Sequence, residues 1–219
     1  MSSNNYPNYR EQAVKNMEEF CTSEKYAERK AFLLHIAAEF KKLNVRWCLT
    51  CSSTLFFRGI TTEFHDFDIL IHWEDISKAL KVVKDMKAES LVKGNQSIFA
   101  STLFSKYQYG NVFFDLFSEW RIRETFHFTY EWEKETCKVI KVDKTKIRIV
   151  SAKVQLSLYS VFVMWYPEKR LPQTILVAKY LVAALNEPQL VPKFDNDDKK
   201  LKTKHKKKHK KKHKKMYKK

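Results

Sequence analysis

The spacing of apolar residues predicts helices at the start of the chain and strands after them. Between residues 10 and 43, apolar and aromatic side chains recur every three or four positions, which predicts two helices. The apolar run Val45–Thr50 then predicts a buried strand. A short helical turn is expected over Ser52–Arg58, because Gly59 follows it as a helix stop.

A second strand is predicted over Asp66–Trp73, where the residue types alternate. Successive side chains of a strand point to opposite faces of a sheet. One predicted face carries Phe67, Ile69 and Ile71, and the other carries Asp66, Asp68, Leu70 and His72. The two carboxylates are therefore expected to project from the same face.

The remaining strand signals come in the middle of the chain. Residues 88–109 predict a hairpin or edge strands, and the apolar run Val112–Phe117 predicts another strand. Two further strands are predicted at 137–142 and 146–150. A helix is expected to begin near Glu74, so that helices and strands together predict an α+β fold with a mixed sheet flanked by helices.

After Ser151, which is a predicted N-cap, two more helices are expected at 152–165 and 172–185. These elements divide the chain into three expected parts. They are a catalytic domain with N-terminal helices at 1–150, a helical segment at 151–190 and a basic tail at 191–219.

The formal net charge of +17 is concentrated at the end of the chain. Residues 199–219 hold 14 of the 42 lysines and arginines and no acidic residue, so that 28 basic and 25 acidic side chains remain elsewhere. So many like charges with almost no apolar side chain cannot offset the entropy of ordering. The tail is therefore predicted to be disordered, and it could bind RNA or another polyanion through counterion release.

Composition excludes several kinds of site. The three glycines, Gly59, Gly94 and Gly110, are too few for a GxGxxG dinucleotide loop or a GxxxxGK[ST] phosphate loop. The four cysteines predict free thiols in a reducing compartment rather than a structural zinc site. No run approaches about 18 apolar residues, and the N-terminus lacks the apolar block of a secretory signal, so a cytoplasmic protein without a membrane segment is expected.

Asp66 and Asp68, two positions apart on a predicted strand, are the clearest chemical signal. Asp115 lies within the apolar strand Val112–Phe117, where an unpaired charge is costly. Mg²⁺ favours a few carboxylates together with phosphate oxygens, and paired ions can hold both oxygens of an in-line displacement. Three carboxylates from two neighbouring strands therefore predict a divalent-cation site.

Each of these acids also has a simpler interpretation. Acidic residues near strand ends are commonly solvated or turn-forming, so the Asp66–Asp68 pair alone is weak evidence. Asp115 could instead form a salt bridge with a basic residue such as Arg121 or Arg123. The combination of three carboxylates with a preceding strand, turn and helix favours the metal site.

The run WCLTCSSTLFFRGITTEFHDFDI, which begins at Trp47, resembles the active-site signature of the nucleotidyltransferase superfamily, which has a DNA polymerase beta-like fold. It is most similar to that of the small lincosamide and aminoglycoside nucleotidyltransferases. In that signature a strand leads to a Gly-Gly or Gly-Ser pair, a short helix, a Thr-Arg-Glu-His-like segment and a DxD pair. Asp115 matches the third acidic position, and the resemblance implies a nucleotidyltransferase-like sheet.

The resemblance also implies roles for individual residues. Asp66 and Asp68 would bind Mg²⁺ or Mn²⁺ and the nucleoside triphosphate. Asp115 would be a metal ligand, the general base for an acceptor hydroxyl, or both. The residues implied in nucleotide binding are Ser52, Ser53, Thr61 and Glu63.

The chain departs from the signature at the small pair, which is Cys51–Ser52 without a glycine. Glycine lets the backbone approach the triphosphate closely, whereas Cys51 adds bulk. Ser52 and Ser53 could still donate hydrogen bonds to phosphate. The departure puts full activity in question.

Two functions from different classes fit these residues. The first is an Mg²⁺-dependent enzyme that moves a nucleoside monophosphate from a triphosphate to an acceptor hydroxyl, on a small molecule such as an antibiotic or on RNA or a protein. The second is a catalytically weak module of the same fold that binds nucleic acid or a partner through its basic tail. Basic residues on the C-terminal helices are candidate triphosphate contacts, although such residues are typical of any solvated helix face: Lys153, Lys169, Arg170 and Lys179.

Overall fold

A computed structural model describes residues 6–93, 101–122, 126–128 and 137–196 of the 219-residue chain. The helices are α1 (Tyr9–Thr22), α2 (Ala27–Lys42), α3 (Cys51–Phe57), α4 (Ile76–Asp85), α5 (Ala152–Val163) and α6 (Pro167–Asn186). The strands are β1 (Trp47–Thr50), β2 (Phe67–Ile71), β3 (Glu89–Lys93), β4 (Phe104–Tyr109), β5 (Val112–Phe117), β6 (Trp120–Ile122), β7 (Phe126–Phe128), β8 (Lys138–Val142), β9 (Thr145–Ile149) and β10 (Asp195–Asn196). Short 3₁₀ turns occupy Glu24–Tyr26, Trp73–Asp75 and Pro188–Leu190.

Within the described residues, eight strands form one mixed sheet in the order β10-β8-β9-β1-β2-β5-β4-β3. The central strand β2 is antiparallel to β1 and parallel to β5, while β4 is antiparallel to β5. The strands β6 and β7 form a separate hairpin. The predicted mixed sheet flanked by helices is confirmed.

The two faces of the sheet are covered by different helices. The larger apolar cluster joins α1, α2, α3 and α4 to one face, where Phe67, Ile69 and Ile71 of β2 are buried. The second cluster joins α5 and α6 to the opposite face, which includes Leu70 of β2 and Phe117 of β5. Because side chains alternate along β2, Asp68 lies on the face that α5 and α6 cover. The predicted alternation in β2 is confirmed.

The C-terminal helices α5 and α6 begin in different ways. Ser151 is an N-cap as predicted, since its hydroxyl accepts a hydrogen bond from the backbone N–H of Val154 at 3.2 Å. The prediction that the last helix begins at Pro172 was wrong, because α6 begins at Pro167. Proline is favoured in the first turn of a helix, and Pro167 starts α6 in that way, while Pro172 lies inside the helix and removes one hydrogen bond.

Residues 197–219, which include the lysine-rich part of the predicted basic tail, lie outside the described residues. So do residues 94–100 of the predicted edge region, and Arg123. Among the helices that the structure describes, none has the length and apolar character needed to span a bilayer.

Candidate active site

Three residues on neighbouring strands form a row across the sheet. In the parallel pairing of β2 with β5, Asp68 lies opposite Asp115. In the antiparallel pairing of β5 with β4, Asp115 lies opposite Lys106. The ammonium of Lys106 forms an ion pair with Asp115, with Nζ 3.0 Å from Oδ2. The backbone register alone therefore places two carboxylates and one cation side by side.

The electrostatic environment of these acids is repulsive. Burial, together with the nearby charges of Asp66 and Asp115, raises the pKa of Asp68 well above its ordinary value. Burial also raises the pKa of Asp115, although the ion pair with Lys106 opposes this shift. For Lys106, burial lowers the pKa but the charge of Asp115 outweighs it, so the lysine is held in its charged form. Ionisation of all three carboxyl groups is therefore opposed by their burial and by their mutual repulsion.

Asp66 lies just before β2, where α3 comes close to it. The hydroxyl of Ser52, in the first turn of α3, donates a hydrogen bond to Oδ1 of Asp66 at 3.2 Å. Both side chains are half-buried, so they are accessible to solvent in part. The structure thus brings together Ser52, Asp66, Asp68 and Asp115, which were predicted as site residues.

The turn between β1 and α3 has an unusual backbone. Cys51 has φ of +53°, in the left-handed region that glycine adopts readily and other residues seldom do. Its backbone N–H donates to Oε1 of Gln155 on α5 at 2.9 Å, and the hydroxyls of Thr50 and Thr54 donate to the same oxygen at 3.2 and 3.3 Å. A buried glutamine from a distant helix therefore holds this turn in the conformation that the signature's glycine would adopt without strain.

Helices α5 and α6 bring further polar side chains to the same face. Tyr159 is fully buried, and burial raises the pKa of its hydroxyl well above the ordinary value. Arg170 of α6 lies with its guanidinium 5.2 Å from the centre of the Tyr159 ring, and its charge acts on Asp68. In the described part of the chain, three buried polar atoms of these helices have no hydrogen-bond partner: Nε2 of Gln155, the hydroxyl of Tyr159 and Nε of Arg170.

The donor chemistry of the carboxylates suits a hard divalent cation, because Mg²⁺ and Mn²⁺ prefer oxygen ligands. Among the described residues, however, no three acidic, histidine or cysteine side chains are close enough together to hold a metal ion as they stand. Lys106 occupies one oxygen of Asp115. Asp66 and Asp68 therefore fit a cation together with ligand oxygens from outside the protein.

Three other residues predicted for nucleotide binding are engaged elsewhere. Ser53 is fully buried, and its hydroxyl donates to the carbonyl of Thr50 at 3.2 Å. The hydroxyl of Thr61 donates to the carbonyl of Glu63 at 3.2 Å, and the carboxylate of Glu63 forms an ion pair with Lys25 at 2.8 Å. Their nucleotide contacts remain predictions. The four cysteines are free thiols, as predicted.

A cavity of about 790 Å³ lies between α1, the segment Gly59–Thr62 and α6. Lys15, Thr61 and Lys179 are among its lining residues, while the three aspartates are not among the described residues that line it. The cavity and the carboxylate cluster are therefore separate features.

Sequence reasoning missed Lys106, Gln155 and Tyr159. Lys106 sits in a stretch of alternating polar and aromatic residues, FSKYQY, that indicated a strand but not its partner. Gln155 and Tyr159 lie one helical turn apart on α5, and neither residue type by itself indicates a functional site. Arg170 was among the candidate basic residues, and the structure brings it to the carboxylate face.

No protein-family model and no curated protein matches the sequence. Solved structures do match the fold. A Thermotoga maritima protein described as a candidate nucleotidyltransferase aligns with a TM-score of 0.53 and 16% identity, over 71% of this chain and 93% of its own. The enzyme ANT(2'')-Ia, in a crystal structure with adenylyl-2''-tobramycin, aligns with a TM-score of 0.52 and 13% identity, over 75% of this chain and 95% of its own.

A solution structure of ANT(2'')-Ia, described there as an antibiotic-resistance factor, aligns with a TM-score of 0.51 and 15% identity, over 74% of this chain and 87% of its own. At such identities the likeness concerns the fold. The fold expected from the Trp47–Ile69 signature is confirmed, and this chain has the nucleotidyltransferase fold.

Proposed function

We propose that the protein is a divalent-cation-dependent nucleotidyltransferase, which moves a nucleoside monophosphate from a nucleoside triphosphate to an acceptor hydroxyl and releases pyrophosphate. The observation that carries the proposal is the pairing of Asp68 with Asp115 on adjacent parallel strands, with Asp66 beside them. Mutually repelling, partly buried carboxylates are costly to a fold, so their presence argues for a positively charged ligand.

In this proposal Asp66 and Asp68 hold Mg²⁺ or Mn²⁺. The ion would neutralise charge on the triphosphate and on the leaving pyrophosphate. Ser52 keeps the Asp66 carboxylate in place through its hydroxyl. Asp115 is the candidate to accept the proton of the acceptor hydroxyl.

Arg170 is the proposed triphosphate contact on the helical side. Its Nε is buried without a partner among the described residues, while its NH1 is held by Gln173 at 2.7 Å. A guanidinium can donate to phosphate oxygens in a fixed fork geometry. The buried hydroxyl of Tyr159 is a second candidate donor, because it has no hydrogen-bond partner among the described residues.

For the acceptor we favour a small hydroxylated molecule, because ANT(2'')-Ia of similar fold is described in complex with adenylyl-2''-tobramycin. An RNA or protein acceptor is the second candidate, supported by the lysine-rich residues 199–219. Deletion of 199–219 separates the two. Loss of transfer at low salt would support the polyanionic acceptor, and unchanged transfer would support the small molecule.

The second class of function, a catalytically weak module that binds through its tail, is not favoured. The residue that favoured weak catalysis was Cys51, which stands where the signature has a glycine. In this chain Cys51 has a left-handed backbone, which glycine adopts readily, and its N–H donates to Gln155. A pure binding module also has no need of the Asp66, Asp68 and Asp115 cluster.

The test is transfer of label from each α-labelled triphosphate to components of a cell extract, with Mg²⁺ present. Asp66→Asn and Asp68→Asn are each expected to lower the rate by about a thousandfold or more. Asp85→Asn is the matched control, because Asp85 is an exposed aspartate at the end of α4. Label transfer that survives both active-site changes would overturn the proposal.

A melting experiment gives a second measurement that needs no acceptor. A triphosphate with Mg²⁺ at 100 times its dissociation constant is expected to stabilise the folded protein by about 2.7 kcal/mol. The same triphosphate should leave the melting temperature of Asp68→Asn nearly unchanged. The absence of a shift with every triphosphate would count against the assignment.

A further inference from the structure

The three carboxylates of the cluster are not equivalent. Asp115 is already paired, since Nζ of Lys106 lies 3.0 Å from its Oδ2. In the part of the chain that the structure describes, neither Asp66 nor Asp68 has an ion-pair partner within 4 Å. Two carboxylates are therefore open to a cation from solution, while the third already has one from the protein.

The position of Lys106 is fixed by the sheet rather than by chance contact. Lys106 is the direct cross-strand neighbour of Asp115, and Asp115 is the direct neighbour of Asp68. Opposite charges at directly facing strand positions attract and stabilise a sheet. The ammonium of Lys106 also lies over the ring of Phe104, with Nζ 5.9 Å from the ring centre. Each of these contacts keeps the ammonium at the carboxylate row.

Displacing Lys106 from Asp115 would be expensive. The side chain of Asp115 is only 12% exposed, whereas that of Lys106 is 35% exposed, so the carboxylate of the pair is shielded from water and its ammonium is partly solvated. Breaking a buried ion pair leaves an uncompensated charge. A divalent ion that took Asp115 as a ligand would have to remove the ammonium or lie close to it, and both arrangements are unfavourable.

We propose that Lys106 takes the place of one of two cations at this site, so that the protein binds a single divalent ion between Asp66 and Asp68. The remaining ligands would be water and triphosphate oxygens, which is a common coordination for Mg²⁺. Lys106 supplies fixed positive charge at Asp115. This inference rests on the proposed function and specifies its metal content.

The test counts bound metal instead of turnover. Mn²⁺ is titrated into the full-length protein in the presence of α,β-methylene-ATP, or of the same analogue of another triphosphate if the melting experiment selects one. Two Mn²⁺ ions about 3.5–4 Å apart would be exchange-coupled and would change the electron paramagnetic resonance spectrum. For wild type we expect one ion per chain and the spectrum of an isolated ion.

Lys106→Met is the decisive variant, because it removes the charge and keeps most of the side-chain length. It is expected to bind a second ion and to give the exchange-coupled spectrum. Lys146→Met is the control, since Lys146 is an exposed lysine on β9 of the same sheet. It should keep one isolated ion.

Asp115→Asn tests the inference without the risk that removal of Lys106 prevents folding. If Asp115 is not a ligand, this variant should bind its one Mn²⁺ within about threefold of the wild-type affinity. Asp68→Asn should weaken binding by about a hundredfold or more.

The outcomes separate the inference from the proposed function. Two coupled ions in wild type, or a single isolated ion in a folded Lys106→Met protein, would overturn the inference and leave the proposed function standing. No bound ion in wild type, with any triphosphate analogue, would overturn both. One isolated ion in wild type and two in Lys106→Met would establish the inference.

Discussion

Asp68 lies near the start of β2 and Asp75 lies shortly after its end, and the charges that surround the two carboxylates differ. Asp75, in the 3₁₀ turn after the strand, accepts hydrogen bonds from the backbone N–H and Nε of Arg46 at 3.0 and 2.7 Å, and from Lys78 at 2.8 Å. Burial alone would raise the pKa of Asp75, but these donors outweigh it and lower the pKa to about 2. The negative charge of Asp75 is therefore neutralised by cationic side chains of the same chain.

Near the start of β2, the charges that act most strongly on Asp68 are the like charges of Asp66 and Asp115, while Arg170 and Lys106 act more weakly in the opposite direction. Burial and the two like charges raise the pKa of Asp68 well above its ordinary value. The two aspartates show how the neighbours of a buried carboxylate decide its effect on stability. A carboxylate supplied with cations and a backbone N–H stabilises the fold, whereas one placed among other carboxylates destabilises it in the absence of added positive charge.

The largest expected effect concerns the segment that leads into β2. Gly59 ends the α3 turn with φ of +70°, and a Cβ at this position would lie 2.2 Å from the carbonyl oxygen of Tyr9 and 2.6 Å from the backbone N of Ala13. Because both obstacles are backbone atoms of α1, Gly59→Ala is expected to lower the free energy of unfolding by about 4 kcal/mol or more. Urea denaturation followed by circular dichroism measures this change.

Gly110→Ala is the matched control. Gly110 also has a positive φ, of +58°, but a Cβ there meets nothing within 4 Å. Its cost should be about 1 kcal/mol, from backbone strain alone. Equal losses for the two variants would mean that the contact between α1 and the segment before β2 does not constrain the end of the sheet that carries the three carboxylates.

The next effect is the pH dependence contributed by Asp75. Its folded-state pKa of about 2 lies below the ordinary value of 3.8, so the folded state favours the ionised form. The resulting stabilisation is fully present above about pH 5 and is lost as the pH falls toward 2. It amounts to about 2.5 kcal/mol.

Asp75→Asn should remove this contribution at neutral pH and flatten the decline in stability between pH 5 and 2. The measurement is a series of urea unfolding curves across that range for wild type and variant. If Asp75→Asn keeps the wild-type stability at pH 7, the exit of β2 is not held by this ion pair, and the contrast with Asp68 fails.

Much of the fold follows from local sequence pattern. The strand Val112–Phe117 has the bounds that its apolar run predicts, and Ser151 caps α5 as its residue type predicts. The alternation in β2 correctly places Asp68 on the opposite face from Phe67 and Ile69. These features depend on neighbours in sequence, which is why the sequence alone was sufficient.

The rest of the site depends on contacts that the sequence pattern did not reveal. Lys106 reaches Asp115 across the β4–β5 hairpin, in which Tyr109 pairs with Val112, but the sequence analysis suggested Arg121 or Arg123 as the partner instead. Gln155 lies 104 residues from Cys51, and its residue type gives no sign of the hydrogen bond between them. The sequence did not predict the left-handed backbone at Cys51, because cysteine seldom adopts that conformation.

The smallest expected effect tests the electrostatic repulsion at Asp68 directly. Asp68→Asn removes one of several mutually repelling charges while it keeps the shape of the side chain. Without divalent cations, the variant is therefore expected to unfold at higher urea concentration than wild type, with a gain of about 1 kcal/mol. Asp85→Asn, at an exposed position, should change the free energy of unfolding by less than about 0.5 kcal/mol. If Asp68→Asn instead loses as much stability as Asp75→Asn, the charge of Asp68 stabilises the fold as that of Asp75 does. Repulsion among the three carboxylates would then give no reason to expect a bound cation.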